Sequence, residues 1–537
     1  MSADLAQFLD GILRSLGLIA HAVSLGGFIF AAAVLRPWRG VGAAPDVAAA
    51  SGLRLAGLAA ATVALLIVLQ IAAKAQFIAT GLKVPPFPEF FRTQVFQVNA
   101  VCAALSALAA IAILRLRRRP AATVRWLAAG IVLLLLAMAG AGLTHGSARL
   151  EQRAFLMTLT ALHQTAGLAW VGGVVHLVFL WRLGKRDPSA ATFWPEALAR
   201  FSALGIGALA ILVATGIPLT AIYAESLAGF VGSAYGSVLF AKWVLLAAAL
   251  ALAVANFQAA RRWRRAAEVP RPFFAEIEAI FLVVVLFAAS ALAALPPAID
   301  ITEQRATVAE VAQSFAPRVP RTTSPSLAEE QAASRESTVV ARQRESAEEQ
   351  WSDYNHNMSG LILLAIAFAA LLDRTGLIPW TRHWPLGFLA LAAFVLFRSD
   401  PSGWPLAPGV SLLQSFGKAS WVQHRIAGCI PIMLGFMEWR ARMMPGAPDW
   451  LRFVLPVLSI AGGLLLLTHA HGAFELKAEY LTQVSHTAMG VFAVFMGCGR
   501  WLEIRMAGPV GRAAGIGGEV AMALLALVLV FYREPLG

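Results

Sequence analysis

The strongest chemical signal in the chain is a pair of histidines that recurs in two apolar hairpins. Leu143-Thr144-His145 ends one apolar run, and His163 opens the next in H-Q-T-A-G. Leu467-Thr468-His469 ends another, and His486 opens the next in H-T-A-M-G. The gap between histidines is 18 residues in the first copy and 17 in the second. An imidazole at the end of one membrane helix and another near the start of the next face each other across a short outer loop. Each hairpin would thus offer neutral nitrogen ligands to something entering from one side.

The chain has ten histidines. His145, His163, His356, His424, His469, His471 and His486 fall near the outer ends of predicted helices. His21 lies deeper on the first helix, and His176 and His383 lie toward the inner side. His163-Gly167, His356-Gly360, His424-Gly428 and His486-Gly490 share the pattern H-x-x-x-G, which places both residues on one helix face. A Gly one turn below the ring leaves room for an ion or for the face of a flat cofactor. The plainer reading is small-residue helix packing beside a polar side chain. His469 and His471 are about 200° apart on a regular helix, so both could turn inward only where the helix stops, near Gly472. Met489 and Met496 lie below His486, Met138 below His145, and Met358 beside His356. Mixed imidazole and thioether ligands suit copper, Cu(I) above all. The predicted metal ligands are therefore His145, His163, His356, His424, His469 and His486, followed by His471, Met489 and His21, with a copper ion as the bound species. Bis-imidazole ligation of haem b is the alternative, with His356, His424, His469 and His486 as its ligands. His176, about 220° around the helix from His163, reads as packing. No nucleotide-binding or aspartyl-phosphate signature is present. We predict no catalytic residues, and a protein that is not an enzyme.

These side chains need helices to position them. Of 537 residues, 59% are hydrophobic and 14% charged, and apolar runs near the ~20-residue spanning length recur throughout. The reading is an all-α polytopic membrane protein with about 14 transmembrane helices in two helical-bundle modules. The spans are roughly 10–36, 51–79, 94–116, 123–145, 155–182, 199–223, 235–260, 273–297, 353–374, 383–398, 419–440, 450–471, 478–500 and 513–533. A polar stretch divides the chain into an eight-helix module (1–300), an outer linker (301–352), partly helical or disordered, and a six-helix His-rich module (353–537). The doubled hairpin is helices 4 and 5 of each module, which favours an old duplication. Asp400 to Lys418 reads as an interfacial outer loop.

The net charge of +13 would by itself admit nucleic acid. However, the basic clusters, such as Arg115–Arg119, Arg182–Arg186, Arg261–Arg265 and Arg500–Arg512, occupy alternate loops. That is the positive-inside pattern of a membrane protein with both termini on the outer side. Nucleic acid is excluded on this ground, and the lipid bilayer is the expected surrounding. The first span reads as a retained anchor. Cys102, Cys429 and Cys498 lie within spans and read as small apolar residues. Glu276, Glu278, Glu438 and Glu503 lie within or near spans, and Glu438 and Glu503, both beside inner-face arginines, read as local ion pairs at the interface.

The chain resembles the bacterial copper-resistance membrane protein CopD family in a longer form with a C-terminal six-helix extension. The resemblance rests on L-T-H-G-S-A at 143–148, A-L-H-Q-T-A-G-L-A-W-V-G-G at 161–173, A-T-G-I-P at 214–218 and Y-G-S-V-L-F-A-K-W at 235–243. It also rests on Asn256 before a basic loop and on E-I-E…L-P-P at 276–297. It covers most of residues 1–300. The resemblance implies periplasmic copper handling, copper movement across or delivery at the inner membrane, and partnership with a CopC-like periplasmic copper carrier, here a separate chain. It does not say which residues bind copper.

Overall fold

The computed structural model describes residues 3–38, 43–82, 88–186, 188–266, 272–333, 341–417, 419–467 and 476–534. Among these residues there is helix and no strand. The long helices in chain order are α1 (Ala3–Phe30), α2 (Ala43–Leu82), α3 (Gln94–Arg118), α4 (Thr123–Ala141), α5 (Arg153–Gly184), α6 (Pro188–Ala224) and α7 (Ala234–Ala266). They continue as α8 (Phe273–Leu292), α9 (Ala341–Asp373), α10 (Gly387–Arg398), α11 (Ala419–Met443), α12 (Val454–Leu467), α13 (Leu476–Arg505) and α14 (Pro509–Val530). Hydrocarbon offers no partner for backbone N–H and C=O groups, so runs of Ala, Leu and Val must bond within themselves, and they do so as helix.

Among the described residues, twelve helices are long and apolar enough to span a bilayer, so the count of fourteen is not reproduced. The two expected spans outside the twelve are 383–398 and 419–440. α10 is only 12 residues, about 18 Å at 1.5 Å per residue. α11 carries Arg425, Glu438, Arg440 and Arg442 and has Pro431 inside it.

The chain forms two compact units. The first comprises Leu9–Glu225 and Lys242–Ile299; the second comprises Met1–Phe8, Ser226–Ala241 and Asp300–Gly537. In the first unit, α4 shows why sequence pattern becomes packing. Trp126, Ala129, Leu133, Leu136 and Ala137 are buried, whereas Leu127, Ile131, Leu134, Leu135 and Met138 are exposed, as expected of a helix with one face to the bundle and one to lipid. The α1–α5 crossing is a backbone contact: a Cβ on Gly172 would overlap the Ala22 carbonyl oxygen, so only glycine permits that approach.

In the second unit, Trp384, Phe388, Leu455, Met496, Ala521, Met522 and Ala526 form a buried core joining α9, α10, α12, α13 and α14. The polar stretch after α8 is partly helical. Thr307 and Glu310 form a capping box at Val308–Ser314. Glu310 is held at a pKa of about 2, first by the Lys477 ammonium 2.6 Å away and then by the Thr307 amide and hydroxyl. Further on, the Arg318 guanidinium meets Asp353 at 2.8 Å and donates to the Tyr532 carbonyl. The Arg321 amide donates to Asn357 Oδ1 at 2.7 Å. These bonds bind the stretch to α9 and to the segment after α14.

Candidate metal centre

In the second unit, α9 brings His356 and α13 brings His486 to ring centroids 5.5 Å apart, with the planes at 90°. His356 Nδ1 lies 2.8 Å from the Ser352 carbonyl oxygen, and His486 Nδ1 lies 2.9 Å from that of Thr482. A carbonyl only accepts, so Nδ1 carries the hydrogen in both rings and the lone pair falls on Nε2. Donation from the second ring nitrogen to a carbonyl is the arrangement that orients ligating histidines. With metal–nitrogen bonds of about 2 Å, two imidazoles on one ion hold their centroids within about 6 Å of each other. The observed separation fits that limit.

Tyr532, beyond the end of α14, stacks on His356 at 3.9 Å and meets His486 edge-on at 5.7 Å. Its hydroxyl donates to Glu534 Oε2 at 2.7 Å, and Ser352 Oγ donates to the same oxygen at 2.7 Å. Thr482 Oγ1 is 3.2 Å from Glu534 Oε1. One carboxylate therefore joins α9, α13 and the chain end around the two rings. Neither Tyr532 nor Glu534 stands out in the sequence, because they lie at and just past the end of the last apolar run and belong to no repeat.

His424 on α11 donates from Nδ1 to Asp400 Oδ1 at 2.8 Å. Asp400 is buried, and its second oxygen meets Arg425 at 3.1 Å. Arg425 also donates to the Leu396 carbonyl at 2.7 Å and to that of Trp404. The carboxylate fixes the His424 tautomer with its lone pair on Nε2, in the carboxylate–histidine pattern of metal sites. His424 is close enough to His356 to interact electrostatically with it. Asp400 and Trp404, in the stretch expected to form an outer interfacial loop, are thus bonded to α11. Met489 is buried one turn below His486. His469 and His471 lie outside the described residues.

The glycines of the H-x-x-x-G pattern serve helix packing more than room for a ligand. A Cβ on Gly360 would lie 2.5 Å from the Val530 nitrogen, and one on Gly490 would lie 2.9 Å from the Gly463 carbonyl oxygen. One on Gly428 would overlap Leu396. Only at Gly167 is there ordinary space, with Leu212 at 3.7 Å.

In the first unit, His163 Nδ1 is 2.9 Å from Thr215 Oγ1. That hydroxyl spends its one hydrogen on the Ile211 carbonyl at 2.6 Å. His163 must then donate from Nδ1, which again leaves the lone pair on Nε2. His145 begins the short helix His145–Ala148, with Nε2 3.5 Å from the Leu292 carbonyl oxygen and its ring 5.9 Å from Tyr223. His145 and His163 are thus each held by partners of their own. His21 Nε2 is buried with no hydrogen-bond partner among the described residues. Met138 is 58% exposed on the apolar face of α4, away from the interior a ligand would need. His176 packs between Phe30 and Phe179 and donates to the Gly172 carbonyl at 2.8 Å. Among the described residues there is no group of three or more His, Cys, Asp and Glu side chains able to hold a metal ion.

The first unit also buries an acid held by neutral donors. Glu278 accepts from Trp170 Nε1 at 3.1 Å and from Asn256 Nδ2 at 2.6 Å. Glu438 and Glu503 do pair with arginines.

Residues 195–292 match the family model CopD, copper resistance protein D. The chain carries a CopD region. The match spans most of α6, α7 and α8 and contains Thr215, Asn256 and Glu278. His163 lies outside the CopD region but is bonded to Thr215 within it. Every histidine of the second unit lies outside it as well. No curated protein and no solved structure matches the chain. The CopD match supports a role in copper resistance or homeostasis for this multi-pass membrane protein.

Proposed function

We propose that this protein sits in the bacterial inner membrane with both termini periplasmic, binds copper from the periplasmic side, and moves or delivers it. One observation carries the reading: His356 and His486 stand 5.5 Å apart, each with Nδ1 committed to a carbonyl. Neutral imidazoles replace the hydration of a metal ion without adding buried negative charge. Copper favours such nitrogen ligands, and Cu(I) accepts thioether sulfur such as that of Met489. His424, oriented by Asp400, supplies a third ring. His469 and His471 are further ligand candidates on sequence grounds. His163, with His145 and His21 as weaker members, forms a sparser copper site in the first unit. The division into a CopD-like module, a periplasmic linker and a His-rich module belongs to the same reading. A CopC-like carrier is the natural donor, and the protein is not an enzyme.

The test is metal loading of the purified full-length protein under reducing conditions, with elemental analysis and an absorbance spectrum. We expect bound copper, no Soret band, and loss of copper in the H356A/H486A double variant. A Soret band abolished by the same substitutions would replace copper with haem b. Colourless protein without copper after loading would sink both readings.

A further inference from the structure

At the end of the second unit opposite its histidines lies a feature that the copper reading does not use. Trp384, Arg442, Leu455, Met496, Arg500, Glu503, Glu519 and Met522 line a cavity of about 20 Å³, room for a water or a bare ion. Met496 is 7% exposed and Met522 1%. They come from different helices, α13 and α14. Two thioethers facing a small cavity are a soft donor pair, the ligand class that selects Cu(I) over hard cations. Methionine as an apolar filler is the ordinary alternative. Here the rest of the wall is mixed: Trp384 and Leu455 are apolar, and Arg442, Arg500, Glu503 and Glu519 are ionisable, so the pair meets polar as well as apolar neighbours.

The charges form an alternating chain. Asp373 pairs with Arg442 at 3.3 Å, Arg442 with Glu438 at 2.7 Å, and Glu438 with Arg500 at 2.7 Å. Arg500 pairs with Glu503 at 2.8 Å, Glu503 with Arg374 at 2.8 Å, and Arg374 with Glu519 at 2.5 Å. Three guanidinium groups and four carboxylates thus alternate, with an acid at each end. On the same wall Trp384 Nε1 is buried with no hydrogen-bond partner among the described residues and can donate to a water sharing the cavity.

The sequence of α13 connects this cavity to the histidines. His486, Met489, Met496 and Glu503 follow one another at spacings of 3, 7 and 7 residues. At about 100° per residue they stay within one stripe of the helix, and from first to last they cover about 25 Å.

We propose that Met496 and Met522 form a second, soft station for Cu(I) on the cytoplasmic side, reached down the α13 stripe from the His356–His486 site. This rests on the copper reading above and gives it a path and a direction. The test uses full-length protein in detergent with methyl-¹³C-methionine, titrated with Ag(I) as a redox-inert stand-in for Cu(I). The expected result is that two methyl resonances, those lost in M496L and M522L, shift together on binding of one equivalent. The M496L/M522L double variant should bind one Ag(I) fewer than the parent while keeping the equivalent that H356A/H486A removes. Leucine conserves volume at both positions, and the wild-type titration does not depend on how either variant folds. If both methyl signals stay still at saturation, or the double methionine variant binds as much silver as the parent, the station does not exist, and the histidine site stands or falls separately on H356A/H486A.

Discussion

The two units hold their histidines differently. In the first, His163 rests on a single threonine hydroxyl. In the second, His356 and His486 share a ring contact, a stacked tyrosine and a carboxylate that gathers α9, α13 and the end of the chain. The family match falls mostly on the first unit, whereas the denser ligand geometry falls on the second. A doubled sequence motif is thus no measure of equal sites. What separates the two is the surrounding layer of donors and acceptors, which holds rings still before an ion arrives.

The largest expected effect separates the units. H356A/H486A should lower copper affinity by more than about 100-fold, because it removes the ligands themselves, where even loss of their supporting partners costs about 10- to 100-fold. H145A/H163A should leave that high-affinity binding intact. Equilibrium competition against a Cu(I) chelator measures both. Equal losses in the two variants would erase the asymmetry.

Next in size is D400N. It takes the charge from a buried carboxylate that both His424 and Arg425 use. An uncompensated buried guanidinium costs about 3–5 kcal/mol, and loss of the ring's orientation should weaken copper binding about 10-fold or more. Thermal melting in detergent and the chelator competition report the two consequences. A D400N protein as stable as the parent would show that Arg425 finds enough in the Leu396 and Trp404 carbonyls.

This residue also shows what could be read from sequence. Fold class was legible because membrane helices are written as long apolar runs, and the ends of those runs placed the histidines. The spans expected at 383–398 and 419–440 are the two not among the twelve, and there a polar chain segment and a buried arginine satisfy each other only in the folded bundle. Asp400 looked like part of a surface loop because nothing local says that it meets His424 and Arg425. Tyr532 and Glu534 were invisible for the same reason: their role comes from helices that begin near residues 341 and 476. The pairs Glu438–Arg442 and Glu503–Arg500 were legible, since those arginines lie four and three residues away, whereas Arg500 on Glu438 and Arg374 on Glu503 come from 62 and 129 residues away. The partners of Glu278, Trp170 and Asn256, are 108 and 22 residues away.

A smaller effect tests the glycines. G360A and G490A should destabilise by about 1–3 kcal/mol, the usual cost of overpacking, because each new methyl meets backbone atoms at 2.5 to 2.9 Å. Backbone cannot swing aside as a side chain can. G167A meets only Leu212 Cδ2 at 3.7 Å and should stay within about 0.5 kcal/mol of the parent. The same four-residue pattern then reports close helix packing in the second unit and open space in the first. Denaturation of the three variants side by side settles this, and a G167A protein as unstable as G490A would undo the distinction.

The smallest effect concerns His163 alone. T215V keeps the shape of the side chain and removes the hydroxyl that receives the Nδ1 hydrogen. The lost hydrogen bond is worth about 1 kcal/mol, and the ring becomes able to place its hydrogen on either nitrogen. Copper binding that depends on H145A/H163A should weaken by about 5- to 10-fold, the equivalent of that energy, while binding at His356 and His486 is unchanged. If T215V leaves the first-unit binding untouched, the CopD-region threonine is packing rather than a partner of the ligand. The link between the matched segment and a copper-holding imidazole would then have to be sought elsewhere in the first unit.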